Sequence, residues 1–347
     1  AGLGPDSHSR PSRPESIMTI SVIIPTYNRA QDCARAIESC IRQLGDYDEI
    51  VVVDDGSTDD TIEVLQSYVN RLPGVVRVFQ QENAGVGVAR NTAIREATGD
   101  TIVLLDSDDI LLPWTIERVR EANERFDFPA IIAGPTPFFE DPAEVDVSTT
   151  PDAGASYHRD LLSCWKRPPY LPGSGVAVQR RYLEEIGGFF PHRHLGEDID
   201  LYLRLGEKPG FVLYDHPIYA QYRPRSCAHT GISQNPQSVY KSCEYLLEHL
   251  ESGTYGQSDA RARERRAWVT ATTRPSSLYL AKHGFPALAW DVYWRTLKAN
   301  LRLGRVRYLA GLPAYAALGL LPARSSGPVA ANRAPRTAVP IEGRRAA

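Results

Sequence analysis

The sequence predicts an α/β protein built on a mostly parallel β-sheet that is flanked by helices. Between residues 20 and 135, short apolar runs alternate with amphipathic stretches of helical length. This is the pattern of βα units joined by right-handed crossovers. The apolar runs are continuous, as expected for strands that are covered by helices on both faces. With 347 residues, the chain is long enough for one large domain or for a domain with an appendage.

The first part of the chain divides into five predicted strands and four predicted helices. The strands are predicted at 20–25, 49–54, 75–80, 101–106 and 130–134. The helices are predicted at 30–43, 59–70, 86–97 and 114–126. The second helix has the clearest start, since Ser57 or Thr58 can cap it while Asp59 and Asp60 complement its dipole.

Polar motifs follow four of the predicted strands, where ligands of parallel sheets bind. They are Pro25-Thr26-Tyr27-Asn28-Arg29, Asp54-Asp55-Gly56-Ser57, the loop from Asn83 and Gly85 to Arg90, and Asp106-Ser107-Asp108-Asp109. Carboxylates can accept hydrogen bonds from a base and a ribose, an arginine and a metal can neutralise phosphates, and helix N-termini add N–H donors. The motifs together therefore predict a site for a nucleoside diphosphate.

The cluster of Asp106, Asp108 and Asp109 has two interpretations. Asp106 and Asp108 lie one residue apart on a turn, so both can reach one hard cation such as Mg²⁺ or Mn²⁺. Alternatively, the cluster is an Asp-rich turn that starts the helix predicted at 114–126. The cluster taken alone favours the turn, whereas the other three strand-end motifs favour the metal site.

These segments resemble the family 2 glycosyltransferases, whose GT-A fold is a Rossmann-like α/β sandwich that binds nucleotide sugars. The resemblance covers residues 21–223 and rests on SVIIPTYNR, IVVVDDGSTDDT, NAGVGVARN, TIVLLDSDD and GSGVAVQRRYLEEIGGFFPHRHLGEDIDLYLRL, in this order. It implies an inverting enzyme that needs Mn²⁺ or Mg²⁺. The implied reaction moves a sugar from a nucleotide sugar, with a UDP-sugar expected, to a hydroxyl of a glycan, glycolipid or polysaccharide, as in the synthesis of cell-wall or envelope glycans.

The resemblance also implies roles for the residues at the strand ends. Of Asp54 and Asp55, one accepts the uracil N–H and the other orients the loop. Asp108 contacts the metal together with Asp106, whereas Asp109 starts the following helix. The implied nucleotide-binding residues are Pro25, Thr26, Tyr27, Asn28, Arg29, Asp54, Asp55, Asn83, Gly85, Arg90, Asp106 and Ser107.

A second acidic motif, Glu197-Asp198, resembles the family's Glu-Asp motif at the start of a helix. By this resemblance, Asp198 is the general base that deprotonates the acceptor hydroxyl. The alternative is that Glu197, Asp198 and Asp200 only favour a helix N-terminus through the dipole. Contacts to the sugar or acceptor are implied for Trp165, Gly173, Ser174, Gly175, Glu197 and Arg225, although Trp165 is equally well explained as a core residue.

The sequence departs from the family after the last predicted strand. Family members often carry Tyr-Arg-x-His there, but in this chain Arg225 stands in the place of the histidine and the next histidine is His229. Three alternatives remain open. Arg225 neutralises phosphate, His229 reaches the metal from a longer loop, or neither residue takes part.

The remaining segments are assigned from composition and periodicity. A catalytic domain at 18–235 is followed by a helical extension at 236–323, with helices predicted at 239–250, 260–272 and 278–300. Residues 1–17 are predicted to be a disordered leader or a cloning remnant, and 324–347 a disordered tail. In the extension, the aromatic stripe that includes Trp290, Tyr293 and Trp294 predicts helix packing.

The C-terminal part is strongly basic, with 16 Lys and Arg against 5 Asp and Glu in residues 251–347. Arg302, Arg305 and Arg307 precede an apolar run at 308–321 that is too short to span a bilayer. Two interpretations follow. The segment makes a peripheral membrane contact, which would suit a lipid-linked acceptor, or it packs on the catalytic domain.

Other functions and locations are less compatible with the sequence. The five cysteines form no Cys-x-x-Cys pair and no secretory signal precedes them, which predicts the cytoplasm. A sugar nucleotidyltransferase would need a glycine- and lysine-rich loop after the first strand, and a catalytically silent nucleotide-sugar-binding protein would not need Asp198. Arg90 interrupts Gly-x-Gly-x-x-Gly, which argues against a dinucleotide oxidoreductase. Nucleic acid is not a predicted partner, and no oligomeric state is indicated.

Overall fold

An eight-stranded mixed sheet forms the centre of the protein. The computed structural model describes residues 17–317, apart from 146, 148–149, 151, 153, 192–194, 223–234 and 257. Its strands are β1 (Ile20–Thr26), β2 (Glu49–Asp54), β3 (Val76–Gln80), β4 (Thr101–Leu104), β5 (Ile110–Leu111), β6 (Ile131–Ala133), β7 (Phe138–Phe139), β8 (Ala155–His158), β9 (Val176–Gln179), β10 (Phe211–Tyr214) and β11 (Tyr219–Tyr222). The main sheet has the order β3-β2-β1-β4-β9-β6-β10-β8, and β5-β11-β7 form a small second sheet.

Helices cover this sheet and continue beyond it toward the C-terminus. They are α1 (Ala30–Ile41), α2 (Thr61–Arg71), α3 (Val86–Glu96), α4 (Thr115–Arg125), α5 (Arg180–Glu185), α6 (Glu197–Arg204), α7 (Pro236–Glu251), α8 (Ala262–Lys282), α9 (Pro286–Arg302) and α10 (Val306–Ala317). The α/β class predicted from the alternating pattern is therefore confirmed.

The first four long strands are parallel, and β1 lies at their centre. In the register, Ile23 of β1 is the neighbour of Val51 in β2 on one side and of Leu104 in β4 on the other. The chain thus passes to one side of β1 for β2 and β3, and to the other side for β4. Such a reversal opens a crevice at the carboxyl ends of the strands, which is where ligands bind in α/β sheets. β9 runs antiparallel to both β4 and β6.

Both faces of the central strands β1, β2, β4 and β9 are buried, which explains the continuous apolar runs. Successive side chains of a strand point to opposite faces. Accordingly, Val22 and Ile24 belong to one core cluster, whereas Ile23 and Val51 belong to the cluster on the other face. Strands of this kind must read as apolar throughout, so their positions were predictable from the sequence.

Two local predictions about helices differ from the structure. α2 begins at Thr61, and Asp59 rather than Ser57 or Thr58 accepts a hydrogen bond from the backbone N–H of Thr61. The boundary predicted between the helices at 260–272 and 278–300 is displaced, because α8 continues to Lys282, Gly284 turns the chain with a φ of +85°, and Pro286 starts α9. Proline is suited to this position, since the first helical N–H has no partner in the helix.

The C-terminal helices pack on one another and on the preceding part of the chain. Arg261, just before α8, forms a two-pronged ion pair with the buried Asp160, with N–O distances of 2.7 and 2.9 Å. Tyr308 and Leu312 of the predicted apolar run are buried in a cluster with α8 and α9. Within the described part of the chain, no helix has the length and apolar character needed to cross a membrane.

Gly175 is required where the chain enters β9. Its φ is +69°, and a Cβ atom there would lie 1.9 Å from Cδ1 of the buried Tyr219. We expect Gly175→Ala to lower the free energy of unfolding by about 3 kcal/mol, because a left-handed backbone strain adds to a clash with a packed ring. Gly187→Ala is the matched control. Its φ is +74° but its Cβ would meet open space, so denaturant unfolding should show a loss of only about 1 kcal/mol.

Candidate active site

The loops that follow β1 and β2 are joined by one side chain, Asn28. Its backbone N–H donates to the hydroxyl of Ser57 at 2.8 Å, and its side-chain oxygen accepts from the N–H of Thr58 at 2.7 Å. Asn28 has a φ of +50°, which asparagine tolerates better than most residues. The next residue, Arg29, forms an ion pair with Asp108 after β4. Three of the four strand-end motifs are therefore in contact.

Asp54 and Asp55 have different surroundings. Both oxygens of Asp55 accept hydrogen bonds from the loop before α3, including the backbone N–H groups of Ala84 (2.9 Å) and Gly85 (2.8 Å). Asp54 Oδ2 accepts from the N–H of Ser57 at 3.0 Å. Asp54 Oδ1 is buried and has no partner among the described residues. Asp55 thus holds the loop, whereas Asp54 keeps an acceptor for a further donor.

Arg90 joins the end of β4 to the start of α6. Its Nη2 lies 2.6 Å from Asp106 Oδ1 and its Nη1 lies 3.1 Å from Glu197 Oε1, while its guanidinium is 5.1 Å from the centre of the Phe189 ring. Burial alone would lower the pKa of Arg90, but the two carboxylates raise it above its ordinary value. The buried, charged side chain of Arg90 therefore connects the acidic motif after β4 to the Glu197-Asp198 motif.

Asp198 lies next to Glu197 in the first turn of α6, which follows Gly196 in the left-handed conformation at a φ of +79°. Burial and the neighbouring Glu197 raise the pKa of Asp198 to about 7, although the N–H of Ile199 donates to its carboxylate. A carboxylate with such a pKa can accept a proton near neutral pH.

Asp106 and Asp108 carry carboxylate oxygens that could hold a divalent cation. Asp106 uses Oδ1 to bind Arg90, and Asp108 uses Oδ2 to bind Arg29. Burial raises the pKa of Asp108 above its ordinary value and Asp106 adds to this rise, whereas the ion pair with Arg29 opposes it. A hard cation bound by one or two carboxylates and by substrate phosphates fits this donor set. Among the described residues, no group of three or more His, Cys, Asp or Glu side chains forms a metal site.

The prediction that Asp109 starts a helix is wrong. Asp109 is buried and accepts a hydrogen bond from the N–H of Tyr222 at 3.0 Å. The residues that follow it form β5, which pairs with β11, and α4 begins only at Thr115. Asp109 therefore ties β11 to the strand-end loop instead of capping a helix.

The segment 173–175 packs against Asp106 and Arg90. The Ser174 hydroxyl accepts a hydrogen bond from the N–H of Asp106 at 3.0 Å, and a Cβ at Gly173 would lie 2.8 Å from Arg90 Nη2. Trp165 is half-buried against the second core cluster and faces Arg263 of α8 at 4.8 Å. These contacts favour the core interpretation of Trp165. Arg225 and His229 lie outside the described residues.

The other predicted nucleotide-binding residues lie at or near the carboxyl ends of β1, β3 and β4 and differ in their exposure. Tyr27 is 46% exposed, whereas Thr26 and Ser107 are buried. Pro25 lies within β1, in register with Val53. Asn83 is exposed on the loop that Asp55 holds.

A buried network that no sequence pattern indicated lies behind α6. Asp200, which is fully buried, accepts hydrogen bonds from Arg204 Nε (2.9 Å) and the Tyr255 hydroxyl (2.9 Å) and lies 3.1 Å from His249 Nδ1. His249 and Tyr255 come from α7 and the turn after it, so the C-terminal helices fix the helix that carries Asp198. Their distance of about fifty residues in sequence made the network unpredictable.

Breaking this network should destabilise the protein. Asp200→Asn leaves Arg204 buried without a counter-charge, so we expect the free energy of unfolding to fall by about 3 kcal/mol. The control is Glu184→Gln, which breaks the exposed ion pair with Arg180 at 2.9 Å. Because exposed ion pairs contribute little to stability, Glu184→Gln should lower the free energy of unfolding by less than about 0.5 kcal/mol. Urea unfolding of the two variants measures both values, and equal losses would contradict a special role for Asp200.

The chain is similar to known glycosyltransferases. The profile of Glycosyl transferase family 2 matches residues 21–187. The uncharacterized glycosyltransferase YwdF of Bacillus subtilis (strain 168) is 32% identical over 188 residues, which are 54% of this chain and 68% of YwdF. Other curated glycosyltransferases extend well beyond the match, since the chain spans 53%, 28% and 14% of the length of three of them.

Two solved structures share the fold. TarS 1–349 of S. aureus in complex with UDP-GlcNAc has a TM-score of 0.52 at 18% identity, covering 83% of this chain and 92% of TarS 1–349. The mannosyltransferase PcManGT from Pyrobaculum calidifontis, in complex with GDP-Man and Mn²⁺, has a TM-score of 0.54 at 19% identity. The match covers 87% of this chain and 80% of PcManGT. These two likenesses show the fold, and the YwdF alignment together with the profile match shows that the chain belongs to glycosyltransferase family 2.

Proposed function

We propose that this protein is an inverting glycosyltransferase that moves a sugar from a nucleotide-sugar donor to a hydroxyl of a glycan, glycolipid or polysaccharide. The observation that carries the proposal is the position of Arg90, which joins Asp106 at the end of β4 to Glu197, the neighbour of Asp198. This position supports the proposal, because it keeps the proposed donor-binding residue Asp106 close to the proposed base, whose pKa is raised. We place the reaction in the cytoplasm.

The donor would bind across the ends of β1, β2 and β4. Asp54, whose Oδ1 has no partner among the described residues, is proposed to accept the ring N–H of the base, a donor that uracil and guanine carry and that cytosine and adenine lack. Asp108 and Asp106 would hold Mn²⁺ or Mg²⁺, and the cation would neutralise charge on the departing diphosphate. The Mn²⁺ in the PcManGT complex supports this part of the proposal. Arg29 beside Asp108 would add positive charge near the phosphates.

Asp198 is proposed to act on the acceptor. Its carboxylate takes the proton of the acceptor hydroxyl while the oxygen forms a bond to the anomeric carbon. The bond from that carbon to the diphosphate oxygen breaks, and the nucleoside diphosphate leaves with the electron pair. Attack from the face opposite the leaving group inverts the anomeric configuration. The base must lie within hydrogen-bond reach of the acceptor hydroxyl. The position of Asp198 in the first turn of α6 is compatible with this requirement.

The proposal is tested by release of nucleoside diphosphate. The protein is incubated with Mn²⁺ and single nucleotide sugars, including UDP-N-acetylglucosamine and GDP-mannose, with and without a mixture of oligosaccharide acceptors. We expect UDP to be released from a UDP-sugar, faster when an acceptor is present. Binding without any release would favour a silent sugar-nucleotide-binding protein, and formation of pyrophosphate from a nucleoside triphosphate and a sugar phosphate would favour a nucleotidyltransferase.

The raised pKa of Asp198 predicts the pH dependence of the reaction. The base works only when it is ionised, so protonation below its pKa of about 7 should remove activity. We expect kcat/KM to rise about tenfold per pH unit below pH 7 and to level off above it. Initial rates at saturating Mn²⁺ between pH 5 and 9 measure this profile. A profile that is flat through this range would contradict the assignment of the base.

A further inference from the structure

A surface with exposed apolar side chains lies where α9 ends and α10 begins. Trp294, Lys298 and Leu301 are spaced by four and three residues, so they share one face of α9. Trp294 is 61% exposed, Leu301 is 60% exposed, and Val306 at the start of α10 is 69% exposed. We call this region the α9–α10 surface, and its exposed residues are Trp294, Lys298, Leu301, Arg302, Val306 and Arg307. Clustered exposure of large apolar side chains marks a contact site.

The apolar run at 308–321 does not account for this surface. Tyr308 and Leu312, which belong to that run, are buried against α8 and α9. Trp294 was expected to pack within the aromatic stripe, and it contacts the rings of Trp290 and Tyr293 at 5.9 and 5.2 Å, yet the residue is still 61% exposed. The exposed apolar groups are thus different from those that the sequence suggested.

The charge of the α9–α10 surface has a single sign. From residue 292 to residue 341 the sequence holds no Asp or Glu. Lys298, Arg302 and Arg307 are exposed, and they lie beside Leu301 and Val306. A surface that combines cations with apolar groups, and has no acidic residue in its own segment, is complementary to an anionic partner with an apolar interior.

Two further arginines, Arg305 between α9 and α10 and Arg274 of α8, add to the positive charge. Arg305 Nη2 donates to the carbonyl of Ala267 at 2.9 Å, and its Nη1 donates to the hydroxyl of Thr270. Arg274 Nε donates to the carbonyl of the same threonine at 2.8 Å. Burial and the charge of Arg274 lower the pKa of Arg305 to about 10. Both guanidinium groups donate to neutral oxygens, Arg305 to the Thr270 hydroxyl and Arg274 to the Thr270 carbonyl, so an anion near them would be stabilised.

We propose that the α9–α10 surface binds anionic phospholipids at a membrane. Trp294, Leu301 and Val306 enter the headgroup region, while Arg302 and Arg307 contact lipid phosphates. A membrane fits better than a nucleic acid, because exposed apolar side chains gain free energy from lipid but not from a hydrated polyanion. The proposal does not depend on the transfer reaction, although it would bring the crevice close to a lipid-linked acceptor.

The test is co-sedimentation of the full chain with vesicles of phosphatidylcholine, with and without phosphatidylglycerol. We expect binding only when phosphatidylglycerol is present, and the binding should weaken as salt screens the charges. Arg302→Ser combined with Arg307→Ser should weaken partitioning about 30-fold, since each cation near an anionic surface contributes about a fivefold effect. Trp294→Ser should also weaken it, without changing the dependence on salt.

Matched controls separate this surface from general charge effects. Arg42→Ser combined with Arg181→Ser removes two exposed cations elsewhere, and Tyr157→Ser removes another exposed ring. These variants should bind vesicles like the unchanged chain. Equal binding to neutral vesicles, equal losses in the control variants, or retention on heparin without binding to phosphatidylglycerol vesicles would each overturn the proposal. The salt dependence of the unchanged chain requires no variant, so the result does not rest on correct folding of the variants.

Discussion

Asp198→Asn should lower kcat about 1,000-fold while leaving donor binding nearly unchanged. The variant cannot accept the acceptor's proton, and a general base contributes about 10²–10⁴-fold to rate. The ion pairs of Arg90 with Asp106 and Glu197 do not involve Asp198, so the donor crevice should keep its shape. The measurement is initial-rate kinetics of UDP release with acceptor, together with calorimetric titration of the donor.

Glu197→Gln is the matched comparison for that experiment. It removes a charge from the neighbouring position and loosens Arg90, but it leaves the proposed base in place. The loss of one charge-assisted hydrogen bond should cost about tenfold in rate. Near-normal turnover of Asp198→Asn, or equal defects in the two variants, would show that Asp198 is not the base.

Asp108→Ala should have the second-largest effect, because it removes a proposed cation ligand. We expect at least about a 100-fold loss of kcat/KM, as the cation stabilises the charge of the leaving diphosphate by several kcal/mol. EDTA should abolish the activity of the unchanged protein, and added Mn²⁺ or Mg²⁺ should restore it. Titration of activity against Mn²⁺ measures the loss of affinity in the variant.

Asp109→Asn provides the control within the same cluster. Asp109 faces the N–H of Tyr222, and burial together with Asp106 and Asp108 raises its pKa well above the ordinary value. A neutral asparagine should therefore replace it with little change in metal dependence. Full activity in EDTA, or the same metal defect in Asp108→Ala and Asp109→Asn, would contradict the proposed cation site.

The sequence was most informative where local pattern decides the structure. β1 and β2 were predicted at 20–25 and 49–54 and are observed at Ile20–Thr26 and Glu49–Asp54. Strands buried on both faces are continuous apolar runs, so few other structures compete. The helix predicted at 86–97 is observed at Val86–Glu96 for a similar reason, since its small and apolar residues repeat along the face that meets the sheet.

The sequence was least informative where distant segments meet. The pairing of β5 with β11 decides the role of Asp109, and α7 decides the surroundings of Asp200. Neither partner is near in sequence, so no local pattern could indicate it. The break at Gly284 and Pro286 is different, because both residues are ordinary helix terminators and the prediction of one helix at 278–300 overlooked them.

Thermal unfolding with nucleotide sugars tests the central claim, a donor site that needs a cation at the ends of β1, β2 and β4. A ligand that binds only the folded protein raises its free energy of unfolding by about 2.7 kcal/mol at 100 times the dissociation constant. We predict that the midpoint rises with a UDP-sugar and Mn²⁺ together, rises little with either alone, and does not rise in Asp108→Ala. An equal rise without Mn²⁺, or no rise with any nucleotide sugar, would contradict the account.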